Sequence, residues 1–185
     1  MVPSLGRPGA PAPAATTPGA RVAAAWAVLQ TVPDPEVPAI SVCELGIVRE
    51  LLQAEDGTLE VVLTPTYSGC PATEVIEASV LAALQDAGLG PARALTRRHP
   101  AWTTDWISED GRRKLRDYGI APPGPTDPAA GVPIRLVGRR AAAPVPCPRC
   151  DSPDTERLSA FGATACKALY RCRACREPFE HFKPI

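Results

Sequence analysis

Thr64-Pro65-Thr66-Tyr67-Ser68-Gly69-Cys70-Pro71-Ala72-Thr73-Glu74-Val75 joins two segments of different period. Upstream, Leu59, Val61 and Leu63 alternate as one face of a strand. Downstream, Ile76, Val80, Ala83, Leu84 and Ala87 recur as one face of a helix that ends near Ala87. Pro71 suits the first helical position, where its missing N–H costs nothing, and Gly88 suits a left-handed stop. On this reading Cys70 is the N-cap, facing backbone N–H groups that lack intrahelical partners. The positive end of the helix dipole favours a thiolate there, the setting of a metal ligand or nucleophile. A small residue closing a tight turn would leave the same pattern.

Working outward, the segment before the strand holds a hairpin. Ile47 to Leu52 and Thr58 to Thr64 flank Glu55-Asp56-Gly57, and Asp-Gly is a strong turn signal. Further upstream a helix is expected from Pro18 to Val32, with Thr17 as cap and Pro33 as stop. Val22, Trp26 and Leu29 share a face, with Trp26 as its core anchor. Pro33-Asp34-Pro35-Glu36-Val37-Pro38 is held extended by its prolines. Asp34 and Glu36 could cap a neighbouring helix or face a site, and spacing alone favours capping. Cys43 lacks a partner at ligand spacing and reads as a packed residue.

After the Cys70 helix a third strand is expected over Ala92 to Arg98. The run Arg97-Arg98-His99 reads as a solvated edge. Trp102 and Trp106 sit in a polar loop that opens another helix. At least one should close the core edge, leaving the other to lie over the Cys70 loop. Ser108 is the cap of that helix, Ile107, Leu115 and Tyr118 its apolar stripe, and Gly119 its end.

The length of 185 residues allows one medium domain and a small module. Lys+Arg and Asp+Glu balance at 20 each, so no basic field argues for nucleic acid. No apolar run reaches the length of a membrane span, and no secretory pattern opens the chain, so a cytoplasmic protein is expected. Composition divides the chain into a Pro/Ala/Gly-rich disordered tail (1–20), an α+β domain (21–120), a proline-rich linker (121–146) and a cysteine module (147–185). The linker carries seven prolines, and Ile134 to Val137 within it could form a short strand.

Cys147-Pro148-Arg149-Cys150 and Cys172-Arg173-Ala174-Cys175 are paired knuckles with 21 residues between them. Two thiolates two residues apart can bind one metal from a tight turn, and two such turns complete a tetrahedral site. A module this small needs the metal for much of its folding energy. Zinc is favoured, although iron shares these ligands and this geometry. Leu158, Phe161, Leu169 and Tyr170 look like the strands of a zinc ribbon, closed by Phe179 and Phe182. Cys166 could replace a ligand, serve a redox role or be buried, with burial the default. His181 is a ligand only if one knuckle cysteine is not.

Taken together, Arg21 to Tyr118 resembles the SufT-like iron–sulfur assembly domain. The matching pieces are Asp34-Pro35-Glu36, Glu44-Leu45-Gly46-Ile47-Val48, Thr64 with Gly69-Cys70-Pro71, and Trp102-Thr103-Thr104-Asp105. With Phe161-Gly162-Ala163-Thr164-Ala165-Cys166-Lys167 leading into Cys172, and with Glu177-Pro178-Phe179, the whole resembles the PaaD family. These are small subunits associated with phenylacetyl-CoA epoxidase in aerobic phenylacetate breakdown. The resemblance implies a compact α+β domain with a small three-stranded sheet and packed helices, followed by a zinc ribbon. It also implies Asp34 and Glu36 near a reactive Cys70, and a role in assembling or maintaining iron or iron–sulfur cofactors. Implied cofactors are a structural zinc and a transient iron or iron–sulfur cluster. Implied partners are the iron–sulfur reductase and di-iron oxygenase components; a homodimer is conceivable. The competing reading is a zinc-bearing structural subunit with no metal transfer. A catalytic role of its own is disfavoured, because no Ser/His/Asp constellation, phosphate loop or dinucleotide fingerprint is visible.

Overall fold

The computed structural model describes residues 18–67, 69–124 and 144–185. Thr17, nearly all of the expected tail, and most of the proline-rich segment, including Ile134 to Val137, lie outside the described residues. In chain order the elements are α1 (Pro18–Leu29), β1 (Val48–Gln53), β2 (Leu59–Leu63), α2 (Thr73–Asp86) and β3 (Ala92–Thr96). A 3-10 turn (Thr104–Trp106), α3 (Glu109–Tyr118), β4 (Ile120–Ala121), β5 (Thr155–Ser159), β6 (Lys167–Cys172) and β7 (Pro178–Phe182) follow.

The first sheet has the order β1-β2-β3, which gives the expected α+β domain with a three-stranded sheet. β1 and β2 pair antiparallel, with Leu51 opposite Val61 and Gln53 opposite Leu59. Gly57 takes φ +81° at their turn, and the Asp56 carboxylate accepts the Thr58 N–H, as the Asp-Gly signal requires. β3 runs parallel to β2, so α2 is the crossover between them. Leu59, Val61 and Leu63 are buried on the central strand, against Ile76, Val80 and Leu84 of α2.

α1 stops at Leu29 rather than Val32. The Thr31 and Val32 N–H groups bond to Val28 and Leu29 carbonyls three residues back, a tightening that ends the helix before Pro33. Its anchors are Ala25 and Leu29, both fully buried, while Trp26 is only half-buried. Arg21 fixes the helix in place by donating to the Leu89 and Gly90 carbonyls, each at 2.8 Å. In α3 the inward positions are Gly111 and Leu115; Tyr118, expected on the apolar stripe, is 55% exposed. A Cβ on Gly111 would meet Ile40 Cδ1 at 2.9 Å, so this glycine lets α3 lie directly on the 40–44 segment. Ser108 caps the helix through the Gly111 N–H, and Gly119 ends it at φ +95°, both as expected.

The second sheet has the order β4-β7-β6-β5 and joins the two halves of the chain. Ile120 and Ala121 pair in parallel with Glu180 and His181 of β7. Ala121, expected as the first linker residue, is therefore part of a strand. The ribbon's last strand also reaches into the first domain: Phe182 is buried with its ring 5.9 Å from that of Trp102. Phe182 thus does not close the ribbon as expected; that task falls to Phe179, which stacks on Tyr170 at 5.7 Å. Leu158 and Phe161 are exposed, not core. The final residue is held as well, since the Ile185 carbonyl oxygen accepts the Thr104 N–H and the Thr103 hydroxyl.

Candidate metal centre and thiol site

The two knuckles converge. The sulfurs of Cys147, Cys150, Cys172 and Cys175 all lie within 4.8 Å of one another. Cys147 and Cys175 Sγ are 3.7 Å apart, and Cys150 and Cys172 Sγ 3.6 Å. Zinc–sulfur bonds of about 2.3 Å in a tetrahedron place sulfurs roughly 3.8 Å apart, so the set fits one such ion. Each knuckle turns in the same way. The residues after Cys150 and Cys175, Asp151 and Arg176, take positive φ. The Arg149 and Cys175 N–H groups point at the Cys147 and Cys172 sulfurs, each at 3.4 Å. These donors stabilise ligating thiolates. The Cys172 thiol is drawn down to about 7, chiefly by the Cys175 N–H. Cys175 is pushed up to about 12: the Glu177 N–H acts downward, but desolvation and three neighbouring sulfurs outweigh it. Four thiolates this close need a cation among them. His181 lies outside the cluster, buried edge-on to Tyr170 at 5.5 Å.

Cys70 stands elsewhere, on the turn between β2 and α2. The expected N-cap position is wrong by two residues: the cap is Ala72, and α2 starts at Thr73. The reason is local. The Thr73 N–H and hydroxyl both bond back to the Cys70 carbonyl, making a separate turn over residues 70–73 ahead of the helix. Cys70 is half-buried against the core and lines an apolar pocket with Ile47, Leu63, Thr66 and Ile76. Gly88 does provide the left-handed stop, at φ +70°.

Asp34 and Glu36 are brought together in the loop after α1. Asp34 is buried, and its Oδ1 accepts the Glu36 and Val37 N–H groups at 2.9 and 2.8 Å. Asp34 thus caps its own loop and not the neighbouring helix expected from spacing. Desolvation raises the Asp34 pKa against the pull of those two N–H donors and of Lys167. Desolvation also raises Glu36, followed by the charge of Asp34. The Tyr67 phenol is raised first by desolvation and then by the charges of Cys70, Glu36 and Cys166. Trp102 is the buried tryptophan, donating from Nε1 to the Leu45 carbonyl. It lines a cleft of about 280 Å³ with Thr64, Tyr67, Arg98 and Ile185. Trp106 lies under the Arg49 guanidinium.

Comparison with known proteins fits this two-part arrangement. A family model described as the PaaD zinc beta ribbon domain matches residues 134–183, and one described as an iron-sulfur cluster assembly protein matches residues 22–93. Over 160 residues the chain is 46% identical to a putative 1,2-phenylacetyl-CoA epoxidase subunit of Escherichia coli (strain K12), covering 86% of this chain and 91% of that one. The chain belongs to the PaaD family. This PaaD-family chain is also 30% identical over 89 residues to an "Fe-S protein maturation auxiliary factor" of Porphyromonas gingivalis (strain ATCC BAA-308 / W83). That match covers 48% of this chain and 84% of the relative. A crystal structure of a domain of unknown function (DUF59) from Bacillus anthracis superposes with TM-score 0.50 at 23% identity. It spans 55% of the PaaD-family chain and 96% of its own, a likeness of fold alone.

Lys167, Tyr67 and the Ser41–Glu44 pair take roles in the structure that the sequence reading above does not give them. Lys167 is 3% exposed, with its ammonium 2.7 Å from Glu180 Oε2. Its signal is weak, because a lone lysine in a polar ribbon reads as surface. Tyr67 is one polar-tipped residue in a turn, and nothing in its spacing ties it to Glu36 or Cys166. Ser41 and Glu44 form a reciprocal pair, each side chain accepting the other's backbone N–H, and the spacing Ser-x-x-Glu is a legible signal for it.

Proposed function

We propose that this protein is an accessory subunit of the phenylacetyl-CoA epoxidase system that assembles or maintains the iron or iron–sulfur cofactors of its partners. Cys70 is the working thiol on this reading, and Asp34 and Glu36 are its nearby carboxylates. One observation carries it. The segment matching the iron-sulfur cluster assembly model contains all three residues. A thiolate is a good ligand for iron, and a carboxylate alongside it gives a mixed sulfur–oxygen donor set. So small a set holds iron weakly, which suits a carrier that must release its load.

The four-cysteine centre belongs to a different task. Its ligands Cys147, Cys150, Cys172 and Cys175 leave no open position, the pattern of a structural site. We assign zinc to it, and with the zinc the folding of the ribbon around β5, β6 and β7. The iron–sulfur reductase and di-iron oxygenase components are the expected recipients, because those are the iron-bearing parts of such a system.

The experiment is iron and sulfide analysis of the epoxidase components purified from cells with and without this protein. The proposal expects iron-depleted components in its absence. Fully loaded components would instead favour a zinc-bearing structural subunit of the oxygenase complex.

A further inference from the structure

The cleft of about 280 Å³ has a lining that neither site above uses. Thr64 and Thr66 stand in its wall, and both residues are buried, at 2% and 7% exposed. Neither hydroxyl has a hydrogen-bond partner among the described residues. A sealed hydroxyl in that state would be costly. Among the described residues, however, the one sealed side-chain oxygen or nitrogen without a partner is Gln53 Oε1. The two threonine hydroxyls therefore reach solvent, and the cleft is where they meet it.

Arg98 lines the same cleft. Its basic neighbours are neutralised, Arg97 by Glu50 at 3.0 Å and Arg93 by Glu60. The Arg98 guanidinium has no such partner among the described residues, and no aspartate or glutamate lines the cleft. At one edge the Ile185 carbonyl oxygen is already taken by the Thr104 N–H and the Thr103 hydroxyl. The rest of the wall is apolar. Trp102 spends its indole N–H on the Leu45 carbonyl, so it offers the cleft only ring surface, and Pro65 adds more.

A guanidinium and two hydroxyls all donate to negatively charged oxygen, and the arginine fork matches a carboxylate in particular. A water takes roughly 30 Å³ of liquid, so the cleft has room for far more than a small inorganic ion. We propose that it binds a carboxylate carrying a short apolar body. Arg98, Thr64 and Thr66 hold the carboxylate, and Trp102 and Pro65 pack on the body. The proposal is independent of the role given to Cys70, although Pro65 and Thr66 also line the pocket of that thiol, so an occupant lies beside its turn. A free organic acid and an acidic side chain of a partner protein present the same chemistry.

The test is calorimetric titration of the full-length, zinc-loaded protein with three probes. These are benzoate, its neutral counterpart benzamide, and a capped peptide with one glutamate between leucines. Wild type is expected to bind a carboxylate probe and to ignore benzamide. Benzoate binding marks a free acid as the source; binding of the peptide alone marks a partner's side chain. Arg98→Gln should weaken the binding ~10-fold or more, the effect of losing a charge-assisted hydrogen bond. Arg98 is exposed, so this change should leave the fold intact. Thr66→Val should weaken it several-fold. Arg97→Gln, at a guanidinium that faces Glu50 and does not line the cleft, should bind as wild type does. Benzamide binding as tightly as benzoate, or no binding of either carboxylate at millimolar concentration, would overturn the site. So would Arg98→Gln or Thr66→Val binding as wild type does, or an equal loss in Arg97→Gln, which would reduce the attraction to general surface charge.

Discussion

Cys70 is half-buried at a turn between sheet and helix, and its carbonyl accepts the Thr73 N–H and hydroxyl. The sequence marks the turn through Gly69 and Pro71 but misplaces the cap, because a threonine hydroxyl bonding backwards has no signature that separates it from the next helical residue. Asp34 is legible as a cap, whereas its burial depends on residues far along the chain. His181 gives a prediction at this scale. Burial lowers its pKa from 6.5 to about 4. The unfolded chain therefore binds the extra proton first, and the stability of the neutral, packed ring is lost as pH falls from about 6.5 towards 4. Asp34 and Glu36, both raised, act in the opposite sense as they take up protons, and the knuckle thiolates also respond to acid. The informative quantity is thus the difference between wild type and His181→Phe. The variant should lose less stability than wild type between pH 7 and 5 in denaturant titrations; equal losses would refute the assignment.

Among the elements, the strands and helices of the first domain are readable from period and punctuation. Asp56-Gly57, Ser108, Gly88 and Gly119 all act as the local rules require. The paired knuckles are equally legible, since their spacing and their geometry express the same constraint. What escapes is the destination of the ribbon's aromatic residues: Phe179 and Phe182 have like surroundings in sequence, yet one packs on Tyr170 and the other on Trp102. Alternation along β7 sends them apart only once a second domain offers a surface. Cys147→Ser should release the knuckle metal, because three thiolates and a hydroxyl hold zinc far less tightly. Cys166→Ser should retain that metal in full. Elemental analysis of both variants checks the pair, and metal loss from Cys166→Ser would place that thiol in the wrong site.

The molecule as a whole is tied together at its end. β4 pairs with β7, Phe182 packs on Trp102, and Ile185 bonds to Thr103 and Thr104. None of these ties can be read from composition, which sees a proline-rich segment and infers a spacer. We expect the two pieces that limited proteolysis releases at the proline-rich segment read from composition (121–146) to co-elute until the zinc is chelated. Separation of the pieces with zinc still bound would contradict this. On chelation Trp102 loses its Phe182 neighbour, so tryptophan fluorescence should change together with ribbon unfolding. The central claim, that Cys70 works on the iron cofactors of the epoxidase partners, is tested most directly by Cys70→Ala. Partner iron content and epoxidase activity are measured in the same cells, alongside the zinc content and folding of the variant itself. The account predicts a folded, zinc-loaded variant whose partners lack iron and activity. Partners with full iron and full activity would make Cys70 a packing residue and contradict it.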